Sequence, residues 1–264
     1  MGLNADSYEV TSKYYDQAYS VKTDLVDLPF YLGLAKESRG PVLEIACGTG
    51  RILLPIAREG IQIHGVDASR PMLRILRARL ETEPAEVRQR VTLTEGDMRT
   101  FRLDGKFQLV IIPFRPMQHM YTVQDQVYAL KTAAFHLNDS GILAFDVFYP
   151  KFEALHAGIG EKVLDLEWSL GAEPGKTVRR YFRKESVDKI NQNFSGTFIY
   201  RTYEGERLVS EETESLKLSY YTYPHLKALF LLAGLEIVAE YGSFTKAPLN
   251  NDATDMIFLL RKFK

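Results

Sequence analysis

A single cysteine, Cys47, in 264 residues excludes an intrachain disulfide and any zinc site built from several thiolates. No apolar run approaches the about 18 residues that a membrane-crossing helix needs. The opening MGLNADSYEV has no secretory-leader pattern, so a cytoplasmic protein with no membrane partner is expected. Charge of one sign is also scarce, with a formal net charge of -1 and a pI near 6.5. Nucleic acid and anionic lipid usually call for a clustered positive field, so neither is expected as a partner. Internal repeats and low-complexity tracts are missing too. Core-forming residues are plentiful: 45% hydrophobic and 12% aromatic suffice for one large domain or one domain carrying an insertion.

From 41 to 149, short apolar runs alternate with helical patterns, which predicts an α/β fold with a parallel sheet and crossover helices. The runs are PVLEIA (41–46), IQIHGV (61–66), RVTLTE (90–95), FQLVII (107–112) and GILAFDVF (141–148). Between them GRILLPIAREG, SRPMLRILRARLETE and TVQDQVYALKTAAFHLN read as helices. In the second, Ser69 is placed to cap, Pro71 lies in the first turn, and Met72, Leu73, Leu76 and Leu80 form an apolar stripe. Ahead of the sheet, DLPFYLGLAKESRG reads as a helix capped by Asp27 and stopped by Gly40. After Pro150 the period changes to two across KTVRRYFRKESVD, NFSGTFIYRTYEGERLV and SEETESLKLSYYTY, the mark of an inserted antiparallel sheet, with a hairpin turn at YEGE. The α/β rhythm then returns as helix YPHLKALFLLAG and strands LEIVAEY and TDMIFLLRKF. The expected domains are 1–149 with 222–264, and an insertion at 150–221.

The first strand runs into the glycine loop of VLEIACGTGRIL. Such a loop sets backbone N–H groups and a helix N-terminus beside a ligand. A P-loop requires a lysine that does not follow these glycines, and the dinucleotide fingerprint requires a third glycine where Leu53 stands. What remains is Gly48 and Gly50 with three carboxylates at strand ends. Asp67 is placed for ribose hydroxyls. Glu44 is a poor neighbour for pyrophosphate and a good one for an ammonium group, and Asp97 is placed for the exocyclic amine of adenine. Together they describe S-adenosylmethionine (SAM). As alternatives, Asp67 and Asp97 serve as cap or turn carboxylates, and Met72 is helix core. A nucleotide-dependent oxidoreductase, or a SAM-binding module without turnover, is the competing function.

VLEIACGTGR, VDASRPML and GDM resemble the successive cofactor motifs of the class I SAM-dependent methyltransferases, over about residues 10–150 and 222–262. More loosely, the chain resembles the bacterial aminosugar N-methyltransferases, which share the YD start, GDMR, a histidine after the fourth strand and a β insertion before the final helix. The resemblance implies a Rossmann-like sheet with helices on both faces. It places Gly48 and Gly50 at the methionine part, Glu44 at its ammonium, Asp67 at the ribose, Ala68 and Met72 beside the adenine, and Asp97 with Met98 at its amine. Ala46, Arg51 and Pro113 complete the implied cofactor set, no metal is implied, and Tyr15 of YD would help close the site.

Methyl transfer needs alignment, plus a base when the acceptor is an amine or hydroxyl. The segment PFRPMQHMYT after the fourth strand is the best candidate for facing a small-molecule acceptor. PFRP is not the N/D-P-P-Y of enzymes that methylate amino groups of nucleic acids, which argues against base flipping. His119 is either the base or a structural histidine. Arg115 either pairs with a substrate anion or stacks in the loop. Tyr15 either acts at the site or packs among Tyr14 and Tyr19. Cys47, with no base beside it, reads as inert packing. RRYFRK (179–184) reads as a solvated strand in an insertion of nearly balanced charge. The aromatic residues of that sheet roof the substrate or form a homodimer contact.

Overall fold

The computed structural model describes residues 8–22, 26–171 and 173–263. In chain order the elements are α1 (Glu9–Ser20), α2 (Asp27–Ser38), β1 (Val42–Ile45), α3 (Leu53–Arg58), β2 (Ile63–Asp67), α4 (Arg70–Glu81), α5 (Ala85–Arg88), β3 (Val91–Glu95) and β4 (Phe107–Ile112). A 3-10 turn (Pro116–His119), α6 (Val123–His136), β5 (Leu137–Phe148), α7 (Phe152–His156), β6 (Lys162–Ser169), β7 (Lys176–Asp188), β8 (Asn193–Glu204) and β9 (Arg207–Ser219) follow. The last are α8 (Tyr223–Ala233), β10 (Leu235–Tyr241) and β11 (Asp255–Lys262). The chain folds as two compact units, described separately below.

The first unit, residues 26–150 and 220–263, holds a seven-stranded sheet in the order β10-β11-β5-β4-β1-β2-β3. β3, β2, β1, β4 and β5 run parallel, and β11 is antiparallel to both β5 and β10. Each central strand is apolar on both faces, as a sheet covered twice requires. Leu43, Ile45, Val110, Ile112, Phe145 and Phe258 face one cluster, with α6 and α8. Val42, Leu109, Ile111, Ala144 and Ile257 face the other, with α2, α3 and α4. The helix-start signals hold: Ser69 Oγ accepts from Met72 N, and Thr122 caps α6 by accepting from Asp125 N at 3.1 Å.

Two helix-end expectations are corrected. Asp27 does not cap α2; it is the first helical residue, and its carboxylate is taken by Arg51. Gly40 does not stop α2 by a left-handed turn, since Arg39 adopts that conformation at φ 51°. Gly40 is needed for close approach instead: a Cβ there would lie 2.6 Å from Gln108 Cβ. The strand expected from 141 begins at Leu137, directly after α6, because Leu137 still pairs with Phe107.

The second unit holds a four-stranded antiparallel sheet, β6-β7-β8-β9, with the YEGE turn closing β8 onto β9. Strand β6 was not anticipated; a register shift between Leu164 and Leu166 interrupts the alternation of VLDLEWS. Helix α1 belongs to this unit, with residues 8–22 grouping with 151–219, which corrects the expected 1–149 boundary. The reason is dense pairing on one sheet face. Tyr14 stacks on Tyr200 at 4.8 Å between centroids and meets Trp168 edge-on at 6.1 Å. Thr11 N, in the first turn, donates to Glu214 Oε2 at 2.7 Å, which caps the helix from the sheet. Trp168 Nε1 donates to Gln17 Oε1 at 3.2 Å. RRYFRK is only half a solvated run: Arg179 pairs with Glu167 at the surface, whereas Arg180 is buried, ion-paired to Asp165 and stacked on the rings of Phe198 and Tyr19.

Gly196 of β8 lets the Phe182 ring lie against its backbone: a Cβ there would sit 2.5 Å from Phe182 Cζ and 2.8 Å from the Arg183 carbonyl oxygen. Gly196→Ala should therefore destabilise this sheet by roughly 1–3 kcal/mol, the usual cost of overpacking. Hydrogen exchange is expected to quicken across β7–β9 and to stay unchanged in β1–β5.

Candidate functional site

The loop between β1 and α3 is bent by three left-handed residues, Ala46 (φ 61°), Gly48 (φ 54°) and Gly50 (φ 84°). Gly50 also meets a steric limit, since a Cβ would lie 2.3 Å from Leu76 Cδ1 of α4. Asp67, at the end of β2, ties this loop to the next one: Oδ2 accepts from Gly48 N at 2.7 Å and Oδ1 from Ser69 N at 2.7 Å. Burial still raises the Asp67 carboxyl, against the lowering effect of those amides. The first glycine amide is thus spent on a carboxylate, and the loop is not a phosphate cradle.

Glu44 interrupts the apolar run of β1 on the face that meets α2. It is 2% exposed, and its Oε2 has no hydrogen-bond partner. Burial pushes its pKa well above the ordinary value; Arg51 opposes the rise, and the nearby Asp67 and Asp27 carboxylates add to it. Arg51 is gripped by Asp27 through two bonds, Nη1–Oδ1 at 2.8 Å and Nη2–Oδ2 at 2.5 Å. Its guanidinium also lies over the Phe114 ring, 4.6 Å from the centroid. Carboxylates therefore outnumber guanidinium groups in this buried cluster, and such an excess suits a cationic ligand.

Asp97 is held by Arg99, whose Nε donates to Oδ1 at 2.9 Å and to Oδ2 at 3.0 Å, and Arg99 reaches on to Asp125 at 2.8 Å. Burial pushes the Asp97 carboxyl up, but Arg99 outweighs it and the net pKa falls below the ordinary value. Met72, Met98 and Pro113 are buried, and Ala68 is half-buried. Met98 belongs to the apolar cluster of the α6 side, so its side chain is core.

After β4 the chain turns through two consecutive left-handed residues, Phe114 (φ 68°) and Arg115 (φ 70°). Each costs roughly 1–2 kcal/mol in a residue with a Cβ, and neighbouring side chains hold the turn at every step. Phe114 N donates to Asp146 Oδ1 at 2.8 Å, and the Tyr31 hydroxyl of α2 donates to the same oxygen at 2.6 Å. Arg115 Nη2 donates to Asp255 Oδ1 at 2.7 Å, a partner that neither sequence-based alternative for Arg115 included. The Tyr221 hydroxyl donates to the Met117 carbonyl at 2.5 Å, and Gln126 Nε2 to the Met120 carbonyl at 3.0 Å. His119 closes the 3-10 turn, 8% exposed, and burial lowers its pKa to about 4.

One unit thus brings together Glu44, Ala46, Gly48, Gly50, Arg51, Asp67 and the 113–120 turn with its Arg115 and His119. Tyr15 lies on α1, in the other unit, with its ring 4.6 Å from that of Tyr19. Asp27, Tyr31, Asp146, Gln126, Tyr221 and Asp255 were not anticipated as site residues. Only Asp146 announced itself, as a lone acid inside the apolar strand LAFDVF.

The residues fit an adenosine cofactor with a cationic amino-acid tail: a buried carboxylate oxygen without a partner stands beside a glycine turn and a strand-end Asp. Residues 42–141 match the family model described as a methyltransferase domain. The chain is 24% identical to the cypemycin N-terminal methyltransferase of Streptomyces sp, over 84% of this chain and 82% of that one. It is 32% identical to the dTDP-3-amino-3,4,6-trideoxy-alpha-D-glucopyranose N,N-dimethyltransferase of Streptomyces venezuelae, over 48% of this chain and 56% of that one. Against most of the curated relatives it matches, the chain spans about half of their length. The solved structure of the CcbJ methyltransferase from Streptomyces caelestis superposes with a TM-score of 0.81 at 20% identity, over 99% of this chain and 100% of that one. The glycine turn, the strand-end acids and the sheet order are thereby accounted for together: residues 42–141 form a methyltransferase domain, and the chain has the class I methyltransferase fold of its structural neighbours.

Proposed function

We propose that this protein methylates an amine nitrogen of a small molecule, with His119 receiving the proton that the nitrogen gives up. The observation that carries this reading is a buried imidazole held at the end of the 113–120 turn, in the unit that also holds the glycine turn; burial favours its uncharged form. An imidazole already protonated has no lone pair to offer. Nitrogen is favoured over oxygen because the two relatives above are named for nitrogen acceptors, a peptide N-terminus and an amino sugar. An amino sugar is the acceptor class we favour, as the residues quoted for the aminosugar subgroup are all present. Bound SAM supplies an electrophilic methyl group. The protein's part is to hold and align: Glu44 for the ammonium group, Asp67 for the ribose, Asp97 for the adenine amine, with Ala46, Gly48, Gly50, Arg51, Ala68, Met72 and Pro113 shaping the cavity. Arg115, engaged by Asp255, anchors the turn.

Three measurements test this. S-adenosylhomocysteine should bind in calorimetry, whereas NAD(H) should not. Glu44→Gln should weaken that binding by about tenfold, since a charge-assisted hydrogen bond is worth roughly 1.5–3 kcal/mol. Proton release on binding, read from the buffer dependence of the enthalpy, should be greater for wild type than for the variant, because burial raises the Glu44 carboxyl and a bound cation would lower it. Turnover is read by mass spectrometry over a panel of amino sugars and peptide amines. An acceptor that gains the mass of CH2 only when Asp67 is intact supports the enzyme. A protein that binds S-adenosylhomocysteine and alkylates nothing would be a binding module.

His119 has a pH signature of its own. With a folded pKa of about 4 against an ordinary 6.5, it takes up a proton in the unfolded chain before it does so in the folded one. Stability from this residue is intact above pH 6.5 and lost as the pH falls toward 4. Urea titrations should show His119→Gln with a shallower loss than wild type across that window, and no difference in slope above it.

A further inference from the structure

Two left-handed residues in succession, neither of them glycine, form an arrangement that a chain keeps only when its surroundings insist. The Phe114–Arg115 pair has three such ties, and one reaches furthest. Asp146 sits on β5 one residue past Phe145, the partner of Ile112 at the end of β4. There the ladder loses its neighbour, and a side-chain oxygen replaces it by accepting from Phe114 N. The same oxygen accepts from Tyr31, so one carboxylate fixes both the turn and α2. Asp146 is 1% exposed, on the face where its neighbour Ala144 is core. A charged group in that place costs roughly several kcal/mol, and an apolar residue would suit a covalently identical strand better.

The direction of the next turn depends on this pair. Gln118 N donates to the Arg115 carbonyl at 3.0 Å, and Met120 N to the Met117 carbonyl at 3.0 Å. The conformation at 114–115 therefore sets where the Pro116–His119 turn starts and which way His119 leaves the sheet. Arg51 on the Phe114 ring and Asp255 on Arg115 hold the same pair from other sides. The bonds behind the turn, from Tyr221 and Gln126, reach carbonyls and leave the 114–115 peptide alone.

We propose that Asp146 is a positioning residue: with Tyr31 it locks the left-handed Phe114–Arg115 turn and so aims His119. The inference rests on the methyl-transfer reading for what His119 does, and on geometry alone for what Asp146 holds. Asp146→Ala removes the acceptor oxygen, Asp146→Asn keeps Oδ1 and removes the charge, and Tyr31→Phe removes one of the two donors. Leu143→Ala, in the same strand, paired with Val110 and facing the opposite cluster, supplies destabilisation without removing a hydrogen bond of the turn.

Hydrogen exchange over 113–120, calorimetry with S-adenosylhomocysteine, and kcat and KM with the amine found in the acceptor panel are measured on the full chain. Asp146→Ala should speed exchange at Phe114 and lower kcat by about tenfold or more, as misplacement of a reacting group does. KM and S-adenosylhomocysteine affinity should stay within about threefold, the pattern of a defect in the chemical step. Asp146→Asn should recover most of kcat and the exchange protection, with Tyr31→Phe between the two. Leu143→Ala should lower the melting temperature and leave kcat near wild type. The proposal is overturned if Asp146→Ala keeps kcat and turn protection, if Asp146→Asn falls as far as Ala, or if Leu143→Ala lowers kcat equally. Wild type that fails to bind S-adenosylhomocysteine would sink the methyl-transfer reading; the exchange comparison still decides whether Asp146 holds the turn.

Discussion

The first unit is organised around carboxylates buried on one face of its sheet. Glu44 and Asp146 stand where the pattern of β1 and β5 calls for aliphatic side chains, and α2 brings Asp27 and Tyr31 against them. An isolated carboxylate in such a place is expensive, so the arrangement persists only because partners are shared out among the acids. Arg51 goes to Asp27, while Tyr31 and a backbone amide go to Asp146. Glu44 is left with an oxygen that nothing in the protein reaches. The distribution is uneven at one place, and that place adjoins the glycine turn. A structural network would satisfy its own members; the acceptor left open beside the glycine turn is what the proposed function fills with a cation.

The same economy explains why loops here are stiff. The glycine turn is tied by Asp67 to β2 and by Arg79 to its own carbonyl at Thr49, and the 113–120 turn is tied to β5, β11, α6 and the segment before α8. Alignment is what a displacement reaction asks of its catalyst, and ties from several rigid elements deliver it better than a mobile loop. The backbone strain at 114–115 belongs to this account. It is offset by side chains that would have cheaper conformations available if the turn had no particular direction to keep.

Much of this was legible in the sequence. Period and punctuation placed most strands of the large sheet and the β7–β9 meander, because strands covered on both faces, and hairpins with one buried face, write their environment into alternating residues. Glu44, Asp67 and Asp97 stand out in the sequence because each lies at or near a strand end next to a turn. What stayed hidden depended on contacts distant along the chain. Asp27 reads as a cap from its neighbours and becomes the grip of Arg51 only when α2 packs on the loop. Helix α1 reads as a preface to the sheet domain, yet Glu212, Glu214 and Tyr200, about 200 positions away on the scale of the chain, claim it for the other unit. Arg115 reads as pairing with a substrate anion or stacking in the loop, and it pairs instead with Asp255 of β11.

A conflict between levels separates function from architecture in this chain. Apolar strands, capped helices and Gly196 under Phe182 agree with one another and specify the fold. Glu44, Asp146 and the Phe114–Arg115 turn each violate a local rule: a charge in a covered strand, or a left-handed backbone in residues that resist it. Natural sequences keep such violations where something other than stability selects them. The two acids need not serve the same end, however. Asp146 has its hydrogen bonds within the protein, so its cost is met by the folded state and its effect is on geometry. Glu44 has an oxygen left over, so in the function proposed its cost is relieved by a ligand and its effect is on binding. That difference in bonding, between a satisfied and an unsatisfied buried carboxylate on one sheet face, is the basis on which the proposal divides aligning and recruiting between them.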